Sequence, residues 1–449
     1  MQRHRSPSAP VQVAARGTAP SSARHRAAWA LLCALVVVAA LPFGRAQLAP
    51  NATAGLIAFV DLDGSLALLD PETAATASVG AVGVRSAFPV WSSDGNRVAA
   101  IVSDQAGVRV DVVDVANGSE VATVHQEAGR SPIYLGWSPD DRLLAVLVGL
   151  PTGRLALDLV ATDTAGGSGG VRTLAEGAPF YWSWSRTGRA LLVHVDVGSP
   201  DALAGVTSVT AFDVREPLPD PVGFQSPALS SDDRFVAYAR REPVGRSVVV
   251  RPNPERPDVE GDSVMVAFRG TAALAWRPGR AQVAVQRSTE PSPHPYGPID
   301  LIDAETGAVR RLTDDFVIAS FWSPDGARLA TLTLVGGGGE RTIQAGGAAA
   351  LQVALPVQAQ RTTLALKVID VDAGTARPLG VFTPSPLFLA QYLPFFDQYA
   401  RSHRLWSPSS DALVLPALDD DGVSTLVRFG VDGEVRPLVP GDLPAWNVR

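Results

Sequence analysis

The clearest candidate nucleophile in this sequence is a serine inside a run of glycines. The stretch GGSGG at 166–170 fits the Gly-x-Ser-x-Gly pattern, which in hydrolases places a nucleophilic serine on a sharp turn between a strand and a helix. Here β-prone segments lie on both sides, and no helical pattern follows. We therefore expect a flexible hairpin tip and no catalytic serine at this position.

Residues that could bind a metal are present, but their spacing is unsuitable. The acidic stretches DLDG at 61–64 and DDDG at 419–422 lack the further oxygen ligands and the closing glutamate of a calcium loop. The single cysteine, Cys33, excludes a cysteine cluster and an internal disulfide. No two of the six histidines are spaced as a metal-binding pair; they are His4, His25, His125, His194, His294 and His403. We expect no metal and no cofactor.

Tryptophan faces could stack on sugars, so the nine tryptophans are a further candidate site. Most of them recur at regular intervals, which favours packing between repeated units over sugar binding. Trp182 lies outside this register, beside Phe180 and Tyr181. For this cluster, core packing and an exposed binding surface both stay open.

A short sequence phrase, which usually begins with tryptophan, is repeated along the chain. We call the first residue of each copy its lead position, and successive lead positions lie 46, 47, 45, 47, 46 and 84 residues apart. So constant a period indicates a repeat architecture. The copies are WSSDG at 91–95, WSPDD at 137–141, WSRTG at 184–188, LSSDD at 229–233, WRPG at 276–279, WSPDG at 322–326 and WSP at 406–408.

The residues around each phrase predict strands and turns. Seven residues after each lead position comes an apolar pair in a β-prone stretch, as at Val98-Ala99 and Leu144-Ala145. The phrase itself suits a turn, because proline presets φ at the first corner and Asp-Gly tolerates positive φ. Most copies continue with a second β run and another turn, which predicts an all-β fold of four-stranded units. Closing the units into a ring, a β-propeller, leaves no open sheet edges.

The two termini predict how the ring closes. Residues 57–70 match two strands of a unit, but Pro50 occupies the place of their lead tryptophan, and the missing phrase, DLPAWN, comes at 442–447. We expect the C-terminal strand to complete the first blade. Eight blades result, with seven as the alternative. The tryptophans with a structural role in the repeat are then Trp91, Trp137, Trp184, Trp276, Trp322, Trp406 and Trp446.

The phrase, its period and the split terminal blade resemble those of the TolB-like, WD-repeat-related bacterial β-propellers. The resemblance covers roughly residues 55–449, and it implies the propeller fold. It does not select a function, since members of this family range from scaffolds to the lid domains of serine peptidases.

One unit departs from the repeat. The unit between Trp322 and Trp406 exceeds the usual 46 residues by 38, so we predict an insertion at about 336–404. Its first part, 336–366, is rich in glycine and alanine, which predicts a flexible or partly extended segment outside the blade. Its second part predicts a short amphipathic helix, because aromatic residues recur there at helical spacing: Tyr392, Phe395, Phe396 and Tyr399.

The helix leads into a segment that the resemblance places along the central channel, 402–405, because in this family the residues before the lead tryptophan form the innermost strand. We predict that 392–404 caps one mouth of the channel. Arg404 could hold a carboxylate with two hydrogen bonds, and His403 could add pH sensitivity if its pKa is near neutral. Phe395 and Tyr399 are expected to pack the helix onto the ring. The side chains predicted to meet a ligand are Tyr392, Phe396, His403 and Arg404.

Residues 1–50 carry a targeting signal. Arginines precede an apolar run at 27–43, and GRA at 44–46 supplies small residues where a signal peptidase reads them. We expect a disordered basic leader within either a signal peptide or an N-terminal membrane anchor. Residues 51–449 then form an exported propeller, periplasmic or extracellular, either soluble or tethered to the cytoplasmic membrane.

Composition and charge narrow the range of functions that the chain could have. A net charge of −7 leaves no basic field to hold phosphate backbones, which argues against nucleic acid as a partner. The leading hypothesis is a non-catalytic, monomeric binding or scaffolding propeller for a protein or peptide. The alternatives are a hydrolase or lyase that uses the central channel, and a glycan or cell-wall binding module.

Overall fold

The computed structural model describes residues 53–117, 119–162, 170–261, 263–335 and 362–447, and antiparallel strands make up almost all of the regular secondary structure in them. These residues belong to one compact unit, Ala46–Arg449. The predicted leader, most of the glycine run at 166–170, and insertion residues 336–361 lie outside them. The prediction of an all-β fold is confirmed. Within the described ranges, no helix has the length and apolar character needed to cross a membrane.

The first half of the described chain forms four sheets and most of a fifth. The sheets are β1 to β3 (Ile57–Val60, Leu66–Leu69, Thr76–Ser78), β4 to β7 (Arg85–Trp91, Arg97–Asp104, Gly107–Asp114, Glu120–His125), β8 to β11 (Ser131–Trp137, Leu143–Gly149, Leu155–Ala161, Val171–Gly177), β12 to β14 (Phe180–Trp184, Ala190–Val195, Leu203–Ser208) and β15 to β18 (Ala228–Leu229, Phe235–Arg241, Arg246–Pro252, Val264–Phe268).

The second half forms a seven-stranded sheet, a three-stranded sheet and one last strand. The members are β19 to β25 (Ala272–Trp276, Gln282–Arg287, Gly297–Asp303, Val309–Trp322, Arg328–Leu334, Leu364–Asp370, Thr375–Phe382), β26 to β28 (Ala412–Leu418, Ser424–Gly430, Val435–Pro440) and β29 (Asp442–Trp446).

Strand β22 accounts for the seven-stranded sheet. It pairs with β21 through Val309 and with β23 through Trp322, so it serves as the last strand of one four-stranded unit and the first strand of the next. The described residues form seven sheets, whereas the sequence has eight lead positions when the C-terminal phrase is included. The number of blades therefore depends on where this sheet is divided, and the count of eight stays a prediction.

The predicted closure of the ring is confirmed. Strand β29 pairs with β1, with Trp446 opposite Ile57 and Ala445 opposite Ala58. The backbone N–H of Trp446 also donates to the carbonyl of Arg404, 2.8 Å away, in the preceding unit. The C-terminal strand thus joins the beginning of the chain to its last complete unit.

The lead tryptophans connect neighbouring units. In five copies the indole N–H donates, over 3.0 or 3.1 Å, to the carbonyl just before the lead position of the neighbouring unit. Each such bond contributes about 1 kcal/mol net. The pairs are Trp91 with Ala445, Trp137 with Val90, Trp276 with Ala228, Trp322 with Ala275 and Trp406 with Phe321. We call these bonds the tryptophan latches, and they join the side chains of these five residues to neighbouring units.

The latch is missing around the unit β12 to β14. The indole nitrogen of Trp184 is buried without a hydrogen-bond partner in the described chain. The next lead position is Leu229, which has no N–H in its side chain. Both neighbours of this unit are therefore joined to it without a tryptophan latch.

The turns after the lead positions are also linked. Their fourth or fifth residue adopts a positive φ, for example 72° at Gly95 and 58° at Asp141. Where this residue is not glycine, its side chain reaches the neighbouring turn: Asp141 accepts from the backbone N–H groups of Ser93 and Asp94. The turns consequently lie side by side, and we call this side of the ring the lead-turn face.

Candidate functional site

The second part of the insertion fills the centre of the ring. Residues 388–404, which we call the plug, form a π-helical turn (Phe388–Tyr392), a 3₁₀ turn (Leu393–Phe395) and one α-helical turn, α1 (Phe396–Tyr399). The prediction of a short helix is right in position but wrong in its amphipathic character. Instead of having one buried face, α1 is buried at all four of its residues, because the ring surrounds it.

Aromatic contacts hold the plug against strands of different sheets. These strands end at lead positions, and we call them the lead strands. The Tyr399 ring lies 5.4 Å from Phe88 on β4 and 5.0 Å from Tyr134 on β8. The Tyr392 ring lies 6.0 Å from Phe321 on β22. Because lead strands from separate sheets all meet these few residues, they are the innermost strands, and the plug occupies the channel between them.

Gln398 is the main polar connection between plug and ring. Its side-chain oxygen accepts hydrogen bonds from the Trp182 backbone N–H at 3.2 Å and from the Ser226 hydroxyl at 3.0 Å. Its backbone carbonyl accepts from the Tyr134 hydroxyl at 2.9 Å. One residue thereby joins three consecutive units that have no tryptophan latch between them.

Two cavities open above the plug on the lead-turn face. The aromatic cavity, about 250 Å³, is lined by Tyr134, Trp137, Trp182 and Trp184, with Pro139 from a lead turn. The apolar cavity, about 460 Å³, is lined mainly by small or aliphatic side chains and by three lead-turn prolines. Together we call them the mouth, and the plug forms their common floor.

Two arginines of the plug face both cavities. Arg401 and Arg404 are the charged residues that line the aromatic cavity, and they also line the apolar one. The Arg401 Nε–H donates to the Asp397 carbonyl at 3.1 Å. Burial lowers the pKa of Arg404 to about 10, so this guanidinium still carries its charge at neutral pH. In the described chain Arg404 forms no side-chain hydrogen bond or ion pair, although Asp141 exerts some electrostatic attraction on it.

Asp397 supplies the negative charge of the apolar cavity. Its carboxylate accepts from the backbone N–H groups of Ser226 at 3.1 Å and Gln398 at 3.0 Å. Burial nevertheless raises its pKa to about 6, against the smaller effects of these bonds and of Arg401. The group therefore titrates close to neutral pH.

Ser402 and His403 form a pair that resembles a nucleophile and its base, with 2.8 Å between the hydroxyl and Nδ1. Ser402 lines the aromatic cavity. Burial, however, lowers the pKa of His403 to about 3, which makes it a weak proton acceptor. The same burial makes the prediction of a pH-sensing His403 wrong, because the imidazole stays neutral throughout the physiological range.

The four predicted ligand-contact residues differ in how far they pack into the interior and in whether they line the mouth. Tyr392, Phe396 and His403 are only 2%, 3% and 1% exposed, and their rings pack within the plug and against the lead strands. Phe396, His403 and Arg404 line the apolar cavity, and Arg404 also lines the aromatic one. Contact with a ligand stays a prediction for all four residues, and Tyr392 is the one that lines neither cavity.

Several residues of the mouth were not identified from the sequence. Asp397, Gln398 and Arg401 lie inside the segment 392–404 that was predicted to cap the channel, but the helical pattern drew attention to the aromatic residues among them. Trp182, left open between core and surface, is 2% exposed and packs edge-on against Tyr134 at 5.1 Å. No group of residues suited to hold a metal occurs within the described ranges.

No protein-family model and no curated protein matches the chain. Solved structures do. The dihydro-heme d1 dehydrogenase NirN, determined in complex with DHE, is 18% identical with a TM-score of 0.53, covering 88% of this chain and 76% of that one. A eukaryotic initiation factor is 11% identical with a TM-score of 0.51, covering 88% and 99%.

The putative TolB from Agrobacterium tumefaciens is 16% identical with a TM-score of 0.35, covering 59% of this chain and 90% of that one. Likenesses at these identities concern the fold alone. The chain is a β-propeller, and its place among the TolB-like propellers stays a prediction.

Proposed function

We propose that the protein is a non-catalytic, monomeric, extracytoplasmic propeller that binds a protein or peptide partner, and that the mouth holds a carboxylate of this partner. The observation that carries the proposal is the position of Arg404. Arg404 lines both cavities, and within the described residues no carboxylate forms an ion pair with its guanidinium. A planar guanidinium in such a place suits a carboxylate, which it can bind through two parallel hydrogen bonds.

The local charge supports this assignment. The whole chain carries a net charge of −7, yet the charged groups lining the aromatic cavity are Arg401 and Arg404. Partly desolvated charges act more strongly on a ligand than charges on an open surface. An anionic group is therefore attracted to the mouth more than to the remaining surface.

Binding accounts for the mouth better than catalysis. An enzyme working in the channel needs an acid and a base in contact with its substrate. Among the described residues that line the two cavities, Asp397 is the acidic one. His403 also lines the apolar cavity, but burial keeps its imidazole neutral and makes it a weak proton acceptor. A glycan-binding site would use tryptophan faces to stack on sugars, but several tryptophans of this protein form the tryptophan latches between units instead.

Replacing Arg404 tests the proposal. The probe is a pool of random hexapeptides with free side-chain and terminal carboxylates, and the comparison pool has every carboxyl group converted to an amide. We expect the full-length chain to retain the acidic pool and Arg404→Ala to retain at least tenfold less, since a charged hydrogen-bonded pair contributes about 1.5–3 kcal/mol.

Arg186→Ala is the matched control, because this arginine is exposed on the same lead-turn face and does not line either cavity. It should leave peptide retention unchanged. Equal retention by Arg404→Ala and the unaltered chain, or equal retention of the two pools, would contradict the proposal.

Binding is also expected to depend on pH through Asp397. Above its pKa of about 6 the carboxylate is charged and opposes an anionic ligand. Below that pKa it is neutral, while the ligand carboxylate, with a pKa of about 4, stays charged. Affinity for the acidic pool should therefore rise as the pH falls from 7.5 to 5. In Asp397→Asn this dependence should disappear, and its persistence there would exclude Asp397 as the titrating group.

A further inference from the structure

The apolar cavity gives the mouth a second recognition element, next to the arginines. Its walls include Ala228, Leu229 and Leu274 from the ring, and its floor includes Phe396 and Ala400 from the plug. Ala400 is exposed, so the cavity floor is open to an incoming group. At about 460 Å³ the cavity lies in the usual range for small-ligand sites, about 300–1,000 Å³. It suits an apolar side chain.

The plug determines how a peptide can enter. Because the plug contacts lead strands around the ring, a peptide cannot pass through the channel and must enter and leave on the lead-turn face. An internal acidic residue would bring two chain segments into the mouth. A chain terminus brings one, and a C-terminal residue presents its carboxylate and its side chain from the same Cα.

The two cavities match that arrangement. Arg401 and Arg404 border both of them, so a carboxylate held at Arg404 lies at the edge of the apolar cavity. We infer that the mouth recognises the free C-terminus of a polypeptide whose last residue is apolar, with the carboxylate at Arg404 and the side chain in the apolar cavity. This inference rests on the proposed function and specifies its ligand.

Four synthetic peptides test the inference on the full-length chain by calorimetry or fluorescence anisotropy. The first is acetyl-Gly-Ser-Gly-Leu with a free carboxylate, the second is its C-terminal amide, and the third ends in glycine with a free carboxylate. The fourth is acetyl-Gly-Leu-Glu-Gly amide, which carries its acid inside the chain. We expect the first to bind best, and each of the others to bind at least tenfold more weakly, because each lacks either the terminal charge or the buried side chain.

Ala400→Leu separates the two recognition elements. It fills the apolar cavity from an exposed position, so the preference for terminal leucine over glycine should fall several-fold while dependence on the free carboxylate remains. Ala390→Leu is the matched control, because Ala390 is also an exposed alanine of the plug but lines neither cavity. It should leave all four affinities unchanged.

Two outcomes would overturn the inference. If the internal-acid amide binds as well as the first peptide, and Arg404→Ala weakens both, the proposed function stands but the ligand is not a C-terminus. If Arg404→Ala weakens none of the peptides, the proposed function fails as well.

Discussion

A chain that ends at Gly441 is expected to lose the cooperative unfolding transition of the full-length protein. The deletion removes β29, and with it the pairing to β1, the acceptor of the Trp91 latch at Ala445, and the bond from Trp446 to Arg404. It also exposes the edge of β1, a strand that is buried throughout.

The expected loss is comparable with the whole stability of an ordinary domain. Leu443 and Trp446 are almost completely buried, and burying such side chains contributes about 1.5–3 kcal/mol each. Together with the lost hydrogen bonds, at about 1 kcal/mol each, the deletion should cost more than about 5 kcal/mol. Folded proteins are stable by only about 5–15 kcal/mol.

Thermal unfolding followed by circular dichroism measures this effect. The control removes only Val448 and Arg449, which follow β29, and it should melt like the full-length chain, as trimmed termini generally do. A chain ending at Gly441 that melts at the same temperature would show that β29 does not close the ring.

Gln398→Ala is expected to have the second largest effect on stability, a loss of about 2–4 kcal/mol. The substitution leaves the Trp182 N–H and the Ser226 hydroxyl without the acceptor that they share. Each buried polar group left unpaired costs about 1–3 kcal/mol. The loss falls on three consecutive units that have no tryptophan latches between them.

Urea unfolding followed by tryptophan fluorescence measures the loss. Gln391→Ala is the matched control, because Gln391 belongs to the same plug and is only partly buried. We expect it to cost less than 0.5 kcal/mol, as most surface substitutions do. Similar midpoints for the two variants would mean that Gln398 contributes nothing to the joining of the units.

The fold could be predicted from the sequence because the same local sequence pattern recurs in several units. A lead tryptophan followed by a turn phrase marks the end of each innermost strand, and the structure places Trp91, Trp137 and Trp322 at the ends of β4, β8 and β22. The split first blade followed from one missing phrase and one surplus phrase. These features depend on residues that are close together in the sequence, and their recurrence at a regular interval makes them recognisable.

The plug could be located but its surroundings could not. Its partners lie far away in sequence: Tyr134 is 264 positions from Gln398, and Ser226 is 171 positions from Asp397. Helical spacing of aromatic residues predicts a helix with one apolar face, since it assumes packing against a single surface. Inside a ring every face is covered, so residues such as Asp397 and His403 have pKa values that the sequence pattern did not indicate.

The position of the plug near the end of the chain bears on the order in which the protein can fold. The units around Trp184 and Leu229 lack latches, and residues 397 and 398 of the plug add hydrogen bonds to both of them. Closure by β29 comes later still. During synthesis, therefore, the first three quarters of the chain lack both their central support and their closing strand, and contacts of such long sequence separation form slowly. We expect the unfinished chain to reach its full stability only once its last residues appear.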